Sequence, residues 1–163
     1  ADYREWARKL RRAHPDMTLA SDFIVGFPGE TDDDFQDTLD IIEEIRFDHA
    51  YSFLFSSRPG TPAALMEPMV SLDVGRRRLA ILQERLNQIQ RQNNQNQVGK
   101  REEVLVERPS RLGDGMMSGR TRGNRMVNFQ GSPEMVGQRV QVDIVAGLPN
   151  SLKGCLVGEG YGQ

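Results

Sequence analysis

Apolar residues follow two different spacings in the first part of the chain. The N-terminal segment has them every three or four positions, between arginines, at Tyr3, Trp6, Leu10 and Ala13. This pattern predicts an amphipathic helix that ends before Pro15. Residues 18–25 are instead apolar and β-branched with little interruption, which predicts a strand of a parallel sheet without a solvent-exposed face.

A second amphipathic pattern follows the turn at Pro28 and Gly29. Thr31 is a suitable N-cap, and the three aspartates after it complement the positive end of a helix dipole. The apolar stripe Phe35, Leu39, Ile42 and Ile45 predicts a helix over 32–46, and residues 50–55 predict a second strand. This βαβ unit should have a right-handed crossover. Two parallel strands leave an open edge and an uncovered face, so the unit needs neighbours that this chain does not supply.

A long helix is predicted after the Pro- and Gly-rich loop at 57–68. Ser71 can cap it, and its apolar stripe comprises Leu72, Leu79, Leu82, Leu86 and Ile89. Nine of the twelve residues at 87–98 are Asn or Gln, which favours a solvated helix end that acts as a spacer. We therefore expect a first domain at 1–98 and a second at 99–163.

The second domain has the pattern of a small all-β fold. Short strand-like runs at 103–108, 115–121, 125–130, 138–145 and 152–158 are separated by glycine or proline. Val140, Val142 and Ile144 alternate with polar residues, as in a half-buried strand. Five such strands in about 60 residues predict an OB-like barrel. The predicted fold class is thus α/β plus all-β.

Composition narrows the class of protein further. The chain has 163 residues, of which 37% are hydrophobic and 27% charged, as in soluble globular proteins. Residues 1–98 carry 12 basic and 16 acidic side chains (net −4), and residues 99–163 carry 9 and 7 (net +2). No apolar run approaches the roughly 20 residues of a membrane span. Because the chain lacks an initiator Met and opens inside a helical pattern, we expect it to be a piece of a longer polypeptide.

A single cysteine, Cys155, limits the possible chemistry. It excludes an intramolecular disulfide and an all-cysteine metal site, and it favours a reducing cytoplasm. His14 and His49 have no metal-ligand spacing to other residues, so we expect both to be structural or exposed. No metal ligand and no catalytic residue is therefore predicted in this chain.

The turn between the first strand and the second helix is the main candidate for ligand binding. Its glycines, placed before a helix N-terminus, could form a phosphate cradle. Three aspartates already occupy that helix end, however, and the motif lacks the Lys-Ser/Thr ending of a P-loop. A neutral or zwitterionic ligand such as an adenine edge fits better. Asp22 and Glu30 could act as acid and base, but support of the turn by Glu30, and an edge or arginine contact for Asp22, are favoured.

Five arginines cluster in the second domain within eighteen residues that contain one acid, Asp114: Arg108, Arg111, Arg120, Arg122 and Arg125. Phe129 follows them. Cations and an aromatic ring on a small barrel are typical of single-stranded nucleic-acid binding. A solvated rim with scattered arginines is the alternative, and we favour RNA contact.

Several motifs resemble the radical SAM methylthiotransferases. DFIVGFPGET at 22–31, Phe35 and SRPGTPAA at 57–64 are similar to the late part of their radical SAM domain, which is a partial TIM-type barrel. VLVE at 104–107, GRT at 119–121, NR at 124–125, VNF at 127–129 and Gly137 are similar to their RNA-binding TRAM domain. The resemblance covers nearly the whole chain.

This resemblance implies an enzyme that adds a methylthio group to an isopentenylated adenosine beside the tRNA anticodon. It implies S-adenosylmethionine and two [4Fe-4S] clusters as cofactors, with the cluster cysteines upstream of this chain, which alone would be inactive. The implied cofactor contacts are Asp22, Ile24, Gly26, Phe27, Glu30, Ser57 and Arg58. The implied partners are the missing N-terminal part and the tRNA anticodon stem-loop, which the five arginines and Phe129 would contact.

Two alternatives remain open at this stage. The chain could act only as an autonomous RNA-binding module, or it could belong to a methylthiotransferase that modifies a ribosomal protein. NR at 124–125 and VNF at 127–129 favour the tRNA-modifying branch.

Overall fold

The computed structural model describes residues 3–113 and 115–158 and contains two compact units, which meet in sequence between Ile89 and Gln90. The helices are α1 (Tyr3–Ala13), α2 (Asp32–Ile45) and α3 (Leu72–Gln95), with short 3-10 turns at Pro62–Leu65 and Pro133–Met135. The strands are β1 (Ala20–Val25), β2 (His49–Leu54), β3 (Arg101–Pro109), β4 (Met116–Thr121), β5 (Met126–Gln130), β6 (Arg139–Gly147) and β7 (Leu152–Leu156). The predicted combination of an α/β part and a small barrel is confirmed. The domain limits at 98 and 99 stay a prediction.

The first unit is built on the predicted βαβ arrangement. Strands β1 and β2 pair in parallel, with Ala20 opposite His49 and Val25 opposite Leu54. Helix α2 connects them, and its apolar stripe is buried as expected at Phe35, Ile42 and Ile45. Phe47 and five residues of neighbouring elements complete the core. These five are Val25 of β1, Ala7 of α1, and Leu82, Leu86 and Ile89 of α3. The amphipathic patterns of α2 and α3 thus specify this core.

The ends of α2 follow the local sequence closely. The Thr31 hydroxyl accepts a hydrogen bond from the Asp34 amide at 3.1 Å, and the Asp34 carboxylate accepts one from the Thr31 amide at 2.9 Å. This reciprocal pair is a capping box. The helix ends at Arg46, whose left-handed backbone (φ 53°) turns the chain toward β2.

The exposed face of the sheet corrects one prediction. Ile24, Tyr51 and Phe53 are 56%, 65% and 52% exposed. The sequence predicts that the strand at 18–25 has no solvent-exposed face. This prediction is wrong for the described structure, since exposed residues alternate with more buried ones along β1. The physical reason is that two strands with helices on one side leave their other face uncovered, as the topology implied.

Helix α1 forms ion pairs through its arginines, and most of the apolar face predicted for it is exposed. Tyr3, Trp6 and Leu10 are exposed, whereas Ala7 is buried. Arg11 Nη2 lies 3.1 Å from Asp48 Oδ2, and Arg8 pairs with Glu44 of α2.

The second unit is a closed barrel with strand order β3-β4-β5-β7-β6. Strand β3 closes the barrel by pairing with β6, and β5 pairs with β7 in parallel, whereas the other described barrel pairs are antiparallel. The predicted alternation in β6 is confirmed, since Val142 and Ile144 point inward and Val140 is partly buried. The remaining core side chains are Val104, Val106, Met117, Val127, Phe129 and Leu152.

The Asn- and Gln-rich end of α3 packs on this barrel unit. Asn94 Nδ2 donates to the Leu148 carbonyl at 2.8 Å, and Gln95 Nε2 donates to the Gly147 carbonyl at 2.9 Å. A Cβ at Gly147 would lie 2.6 Å from the Asn94 backbone, so only glycine allows this approach. Asn94 and Gln97 are buried. The prediction of a solvated spacer is therefore wrong for this last turn, because its amide side chains donate to carbonyls of residues that are more than 50 positions away in sequence.

No described helix is long and apolar enough to cross a membrane.

Candidate functional site

The carboxyl ends of β1 and β2 meet at one edge of the sheet. The Phe55 amide donates to the Val25 carbonyl at 2.8 Å, and the rings of Phe27 and Phe55 pack edge to face with centroids 5.0 Å apart. Gly26, Phe27 and Glu30 follow β1 directly, and Ser57 and Arg58 follow β2. These five predicted cofactor contacts therefore lie on two adjacent strand ends, where parallel sheets usually place ligands.

The glycine turn after β1 is closed on itself. Gly26 has φ +73°, and its amide donates to Glu30 Oε2 at 2.7 Å. The Gly29 amide donates to the Pro68 carbonyl at 2.8 Å, and the Glu30 amide to the Phe27 carbonyl at 2.9 Å. Because all three amides already have protein acceptors, the turn offers none of them to an anion. This geometry supports the preference for a neutral group over a phosphate.

A buried arginine of α3, which the sequence interpretation missed, braces this turn. Arg78 Nη1 donates to Glu30 Oε2 at 2.6 Å and to the Glu30 carbonyl at 3.0 Å, and Nη2 donates to Asp32 Oδ1 at 2.7 Å. The Arg78 side chain is 6% exposed and that of Glu30 is 9% exposed. The available signal was helical phase, since Arg78 lies on the same stripe as Leu82 and is therefore expected to be buried and paired.

Arg78 and Asp32 each stabilise the charged form of the other. Burial acts to lower the pKa of the Arg78 guanidinium, but its hydrogen bonds and charge interactions with Asp32 and Glu30 raise that pKa above its ordinary value. The hydrogen bond from Arg78, together with its charge, lowers the pKa of the exposed Asp32 carboxyl. The guanidinium also lies 5.6 Å from the centre of the Phe35 ring. Arg78 is thus a fixed cation beneath the turn.

Close packing also fixes where α3 passes the turn. A Cβ at Gly75 would lie 2.6 Å from Leu54 Cδ1, and one at Gly26 would lie 3.2 Å from the same atom and 3.4 Å from Gly75 Cα. The two glycines therefore let the helix backbone approach the strand ends. This approach places Arg78, one turn further along α3, next to Glu30.

Four of the predicted cofactor contacts, two on β1 and two in the loop after β2, lie on exposed surface. Asp22 and Ile24 are on the uncovered face of β1, where Asp22 is opposite Tyr51 in register. Ser57 and Arg58 are exposed in the loop after β2. The Arg58 carbonyl accepts bonds from the amide and hydroxyl of Thr61 at 3.2 and 2.8 Å, so its backbone shapes the loop.

These surfaces fit a flat, weakly polar group and do not fit a metal cluster. Ile24 and Phe27 present apolar surface at the strand end, and the turn amides are engaged internally. That combination suits one edge of an adenine. Among residues 3–113 and 115–158, no group of three or more His, Cys, Asp and Glu side chains could hold a metal ion. The part of the chain that the structure describes thus does not fit an iron-sulfur cluster.

On the barrel, the predicted RNA-binding arginines differ in their surroundings. Arg108 and Arg111 are exposed. Arg120 Nε lies 3.4 Å from Glu107 Oε1, and Arg122 Nε lies 3.1 Å from Glu103 Oε1. Arg125 is half-buried.

Two features of this surface were not found from the sequence. Arg139 of β6 also approaches Glu103, at 3.6 Å, so this acid sits between two arginines. The Ser110 hydroxyl donates to Asn128 Oδ1 at 2.8 Å and accepts from the Leu112 amide at 3.1 Å, which shapes the loop that carries Arg111. The Arg139–Glu103 and Ser110–Asn128 contacts could not be inferred, because each joins residues that are distant in sequence.

Phe129 does not lie on this surface. Its side chain is fully buried in the barrel core, between Val127 and the inward side chains of neighbouring strands. This burial overturns the predicted stacking of its ring on a base, since a ring with no exposed area cannot contact RNA. In the VNF motif, Val127 and Phe129 belong to the barrel core, and Asn128 accepts the hydrogen bond from the Ser110 hydroxyl.

Comparison with known proteins matches both parts of the chain. The model of the TRAM domain matches residues 95–157. Over 96% of its length the chain is 56% identical to a Magnetococcus marinus protein and 51% identical to one from Serratia proteamaculans, each named tRNA-2-methylthio-N(6)-dimethylallyladenosine synthase. The chain is similar to methylthiotransferases along nearly its whole length. A Methylococcus capsulatus protein of the same name is 50% identical over 97% of the chain.

The match confirms the resemblance to methylthiotransferases expected from the motifs, including the resemblance to their TRAM domain. The chain covers 36%, 33% and 34% of these three relatives, so it spans about a third of the methylthiotransferases that it matches. The similarity extends over both the βαβ unit and the barrel.

Proposed function

We propose that this chain forms one wall of the cofactor site and the RNA-binding barrel of a tRNA methylthiotransferase. The enzyme would add a methylthio group to the isopentenylated adenosine next to the anticodon. The observation that carries the proposal is identity of 50% or more to proteins of that name across both units. The cytoplasm, where tRNA is modified, is the proposed location.

In the proposed site, the strand-end surface takes the adenine side of S-adenosylmethionine. Ile24 and Phe27 supply apolar contact, and Asp22 lies on the same exposed face. Glu30 would act indirectly, by holding Gly26, while Ser57 and Arg58 would border the opening. When bound, S-adenosylmethionine supplies the methyl group and the radical chemistry, together with two [4Fe-4S] clusters whose ligands we assign to the rest of the polypeptide.

The proposed role of the barrel is to hold the anticodon stem-loop. Arg108, Arg111, Arg120, Arg122 and Arg125 supply cations for phosphates, and the TRAM match supports RNA as the ligand class. Base stacking by Phe129 forms no part of the proposal.

The test is thiomethylation of tRNA by the complete polypeptide that contains this chain. The protein is reconstituted with iron and sulfide under anaerobic conditions and incubated with S-adenosylmethionine, a reductant and isopentenylated tRNA. Digested nucleosides are then analysed by mass spectrometry. We expect the methylthio product, and tRNA without the isopentenyl group serves as the control substrate.

Two results would contradict the proposal in different ways. Cluster-loaded protein that binds tRNA without modifying it would favour an RNA-binding module. Modification of a ribosomal protein in place of tRNA would assign the chain to the other branch of the family.

A further inference from the structure

We propose that Arg78 is a positioning residue for the cofactor site, acting through Glu30 on the Gly26 turn. The inference rests on the proposed function, because it takes S-adenosylmethionine as the ligand of the strand-end surface. Arg78 itself does not face that surface. It would set the affinity for the cofactor by fixing the backbone against which the adenine lies.

The first step of the argument is that one carboxylate oxygen joins the arginine to the turn. Glu30 Oε2 accepts from Arg78 Nη1 at 2.6 Å and from the Gly26 amide at 2.7 Å. Gly26 directly follows the last residue of β1 and precedes Phe27, so its position fixes where the exposed Phe27 ring begins. A displacement of the guanidinium would therefore be passed to Phe27 through Glu30, whose Oε2 and carbonyl oxygen both accept from Arg78 Nη1.

The second step is that Arg78 is buried and binds two carboxylates at once. Arg78 is 5% exposed, and its two terminal nitrogens reach Glu30 and Asp32 in different directions. A guanidinium can make both contacts at once because its donors lie in a rigid plane, whereas a lysine ammonium is a single point of charge. Removing one partner of a buried charged pair leaves the other uncompensated, so the turn should move or take up water.

The third step separates Arg78 from the arginines beside it. Arg76 and Arg77 precede it in sequence but are exposed on α3. Of the three, Arg78 is the buried one, and its guanidinium contacts Glu30. Arg76→Gln is therefore the matched control, since it removes the same charge from the same turn of the helix without touching Glu30.

The experiment compares wild type, Arg78→Gln, Arg78→Lys and Arg76→Gln in the complete cluster-loaded polypeptide. Equilibrium dialysis measures the dissociation constant for S-adenosylmethionine, and hydrogen exchange with mass spectrometry follows the peptide that covers 22–31. We expect Arg78→Gln to raise the dissociation constant by about ten- to a hundredfold, since charge-assisted hydrogen bonds are the strong ones. Exchange at 26–31 should rise while distant peptides stay unchanged. Arg78→Lys should lie in between, and Arg76→Gln should match the wild type.

Three outcomes would overturn the inference. The first is a folded Arg78→Gln protein with wild-type affinity for S-adenosylmethionine. The second is a loss of affinity that is accompanied by faster exchange throughout the first unit, which would make Arg78 a purely structural residue. The third is a wild-type protein that does not bind S-adenosylmethionine, which would also overturn the proposed function. A wild type that modifies tRNA alongside an unaffected Arg78→Gln variant would reject this inference alone.

Discussion

Phe129 illustrates how one residue type can suit two different roles. An aromatic residue near arginines favours RNA binding in a sequence, but in the structure this ring fills the barrel core. We expect Phe129→Ala to lower the free energy of unfolding of the barrel by about 3–5 kcal/mol, because it leaves a cavity. Urea denaturation measures the effect.

A milder variant at the same position separates stability from RNA binding. Phe129→Leu should reduce stability less and leave the RNA affinity of the folded protein near the wild-type value. If Phe129→Leu is as stable as the wild type yet binds RNA poorly, the ring has a direct role in binding after all.

The capping box at the start of α2 predicts a pH effect. Hydrogen bonds from the Thr31 side chain and backbone lower the pKa of the Asp34 carboxyl below its ordinary value of 3.8. A carboxyl whose pKa is lower in the folded state stabilises the protein above its unfolded pKa, and this contribution is lost as the pH falls through the folded pKa. We expect the urea midpoint of the first unit to drop between about pH 5 and pH 3, and Asp34→Asn to weaken that drop.

Asp33→Asn is the matched control for this prediction. It removes a neighbouring charge from the same helix turn but leaves the Thr31–Asp34 pair intact. An equal change in pH dependence for both variants would mean that the charge of the helix end, and not the capping pair, is responsible.

At the scale of elements, the last turn of α3 is part of the barrel unit. Asn94→Ala would remove a buried side chain and its hydrogen bond to the Leu148 carbonyl, so we expect a loss of about 0.5–1.5 kcal/mol in barrel stability. Thermal and urea unfolding measure it. Asn96→Ala changes an exposed side chain of the same segment and should be nearly neutral. Equal stability of the two variants would contradict the packing described for Asn94.

The outer surface of β3 and β4 carries a second prediction about RNA. Glu103 lies between Arg122 and Arg139, and it partly neutralises both. If RNA phosphates bind these arginines, Glu103→Gln should strengthen binding of an anticodon stem-loop by about two- to fivefold, as expected for a partly exposed charge. Fluorescence anisotropy at fixed salt measures it.

Glu134→Gln provides the control for this surface, since it removes an exposed acid from the 3-10 turn at Pro133–Met135. Equal affinity of Glu103→Gln and Glu134→Gln would indicate that RNA does not contact the Arg122 side of the barrel.

At the scale of the whole molecule, the barrel should bind RNA without the βαβ unit. We expect a fragment of residues 90–163 to bind an anticodon stem-loop with an affinity that falls with salt. Each arginine that contacts a phosphate should change the log–log slope by about 0.7 for a single strand. A fragment of residues 99–163, which lacks Asn94 and Gln95, should unfold at lower urea concentration. Binding that does not depend on salt would contradict a phosphate-contacting surface.

The sequence by itself determined the elements and their order. Spacing of apolar residues set α2, α3 and the barrel strands, because amphipathic faces require a core on one side. Capping residues set the start of α2, and the motifs at 22–31 and 119–129 indicated the family before any comparison. These features depend on neighbours close along the chain.

Only the tertiary structure decided which side chains meet. It paired Arg78 with Glu30, buried Phe129, exposed Tyr3, Trp6 and Leu10, and turned Asn94 toward the loop after β6. Each of these outcomes depends on contacts between residues far apart in sequence. For the polar residues, the partner available in the folded chain determines whether the group is buried or solvated. The local sequence pattern does not identify that partner. The contact of Arg78 with Glu30 beneath the Gly26 turn is therefore evident only in the folded chain.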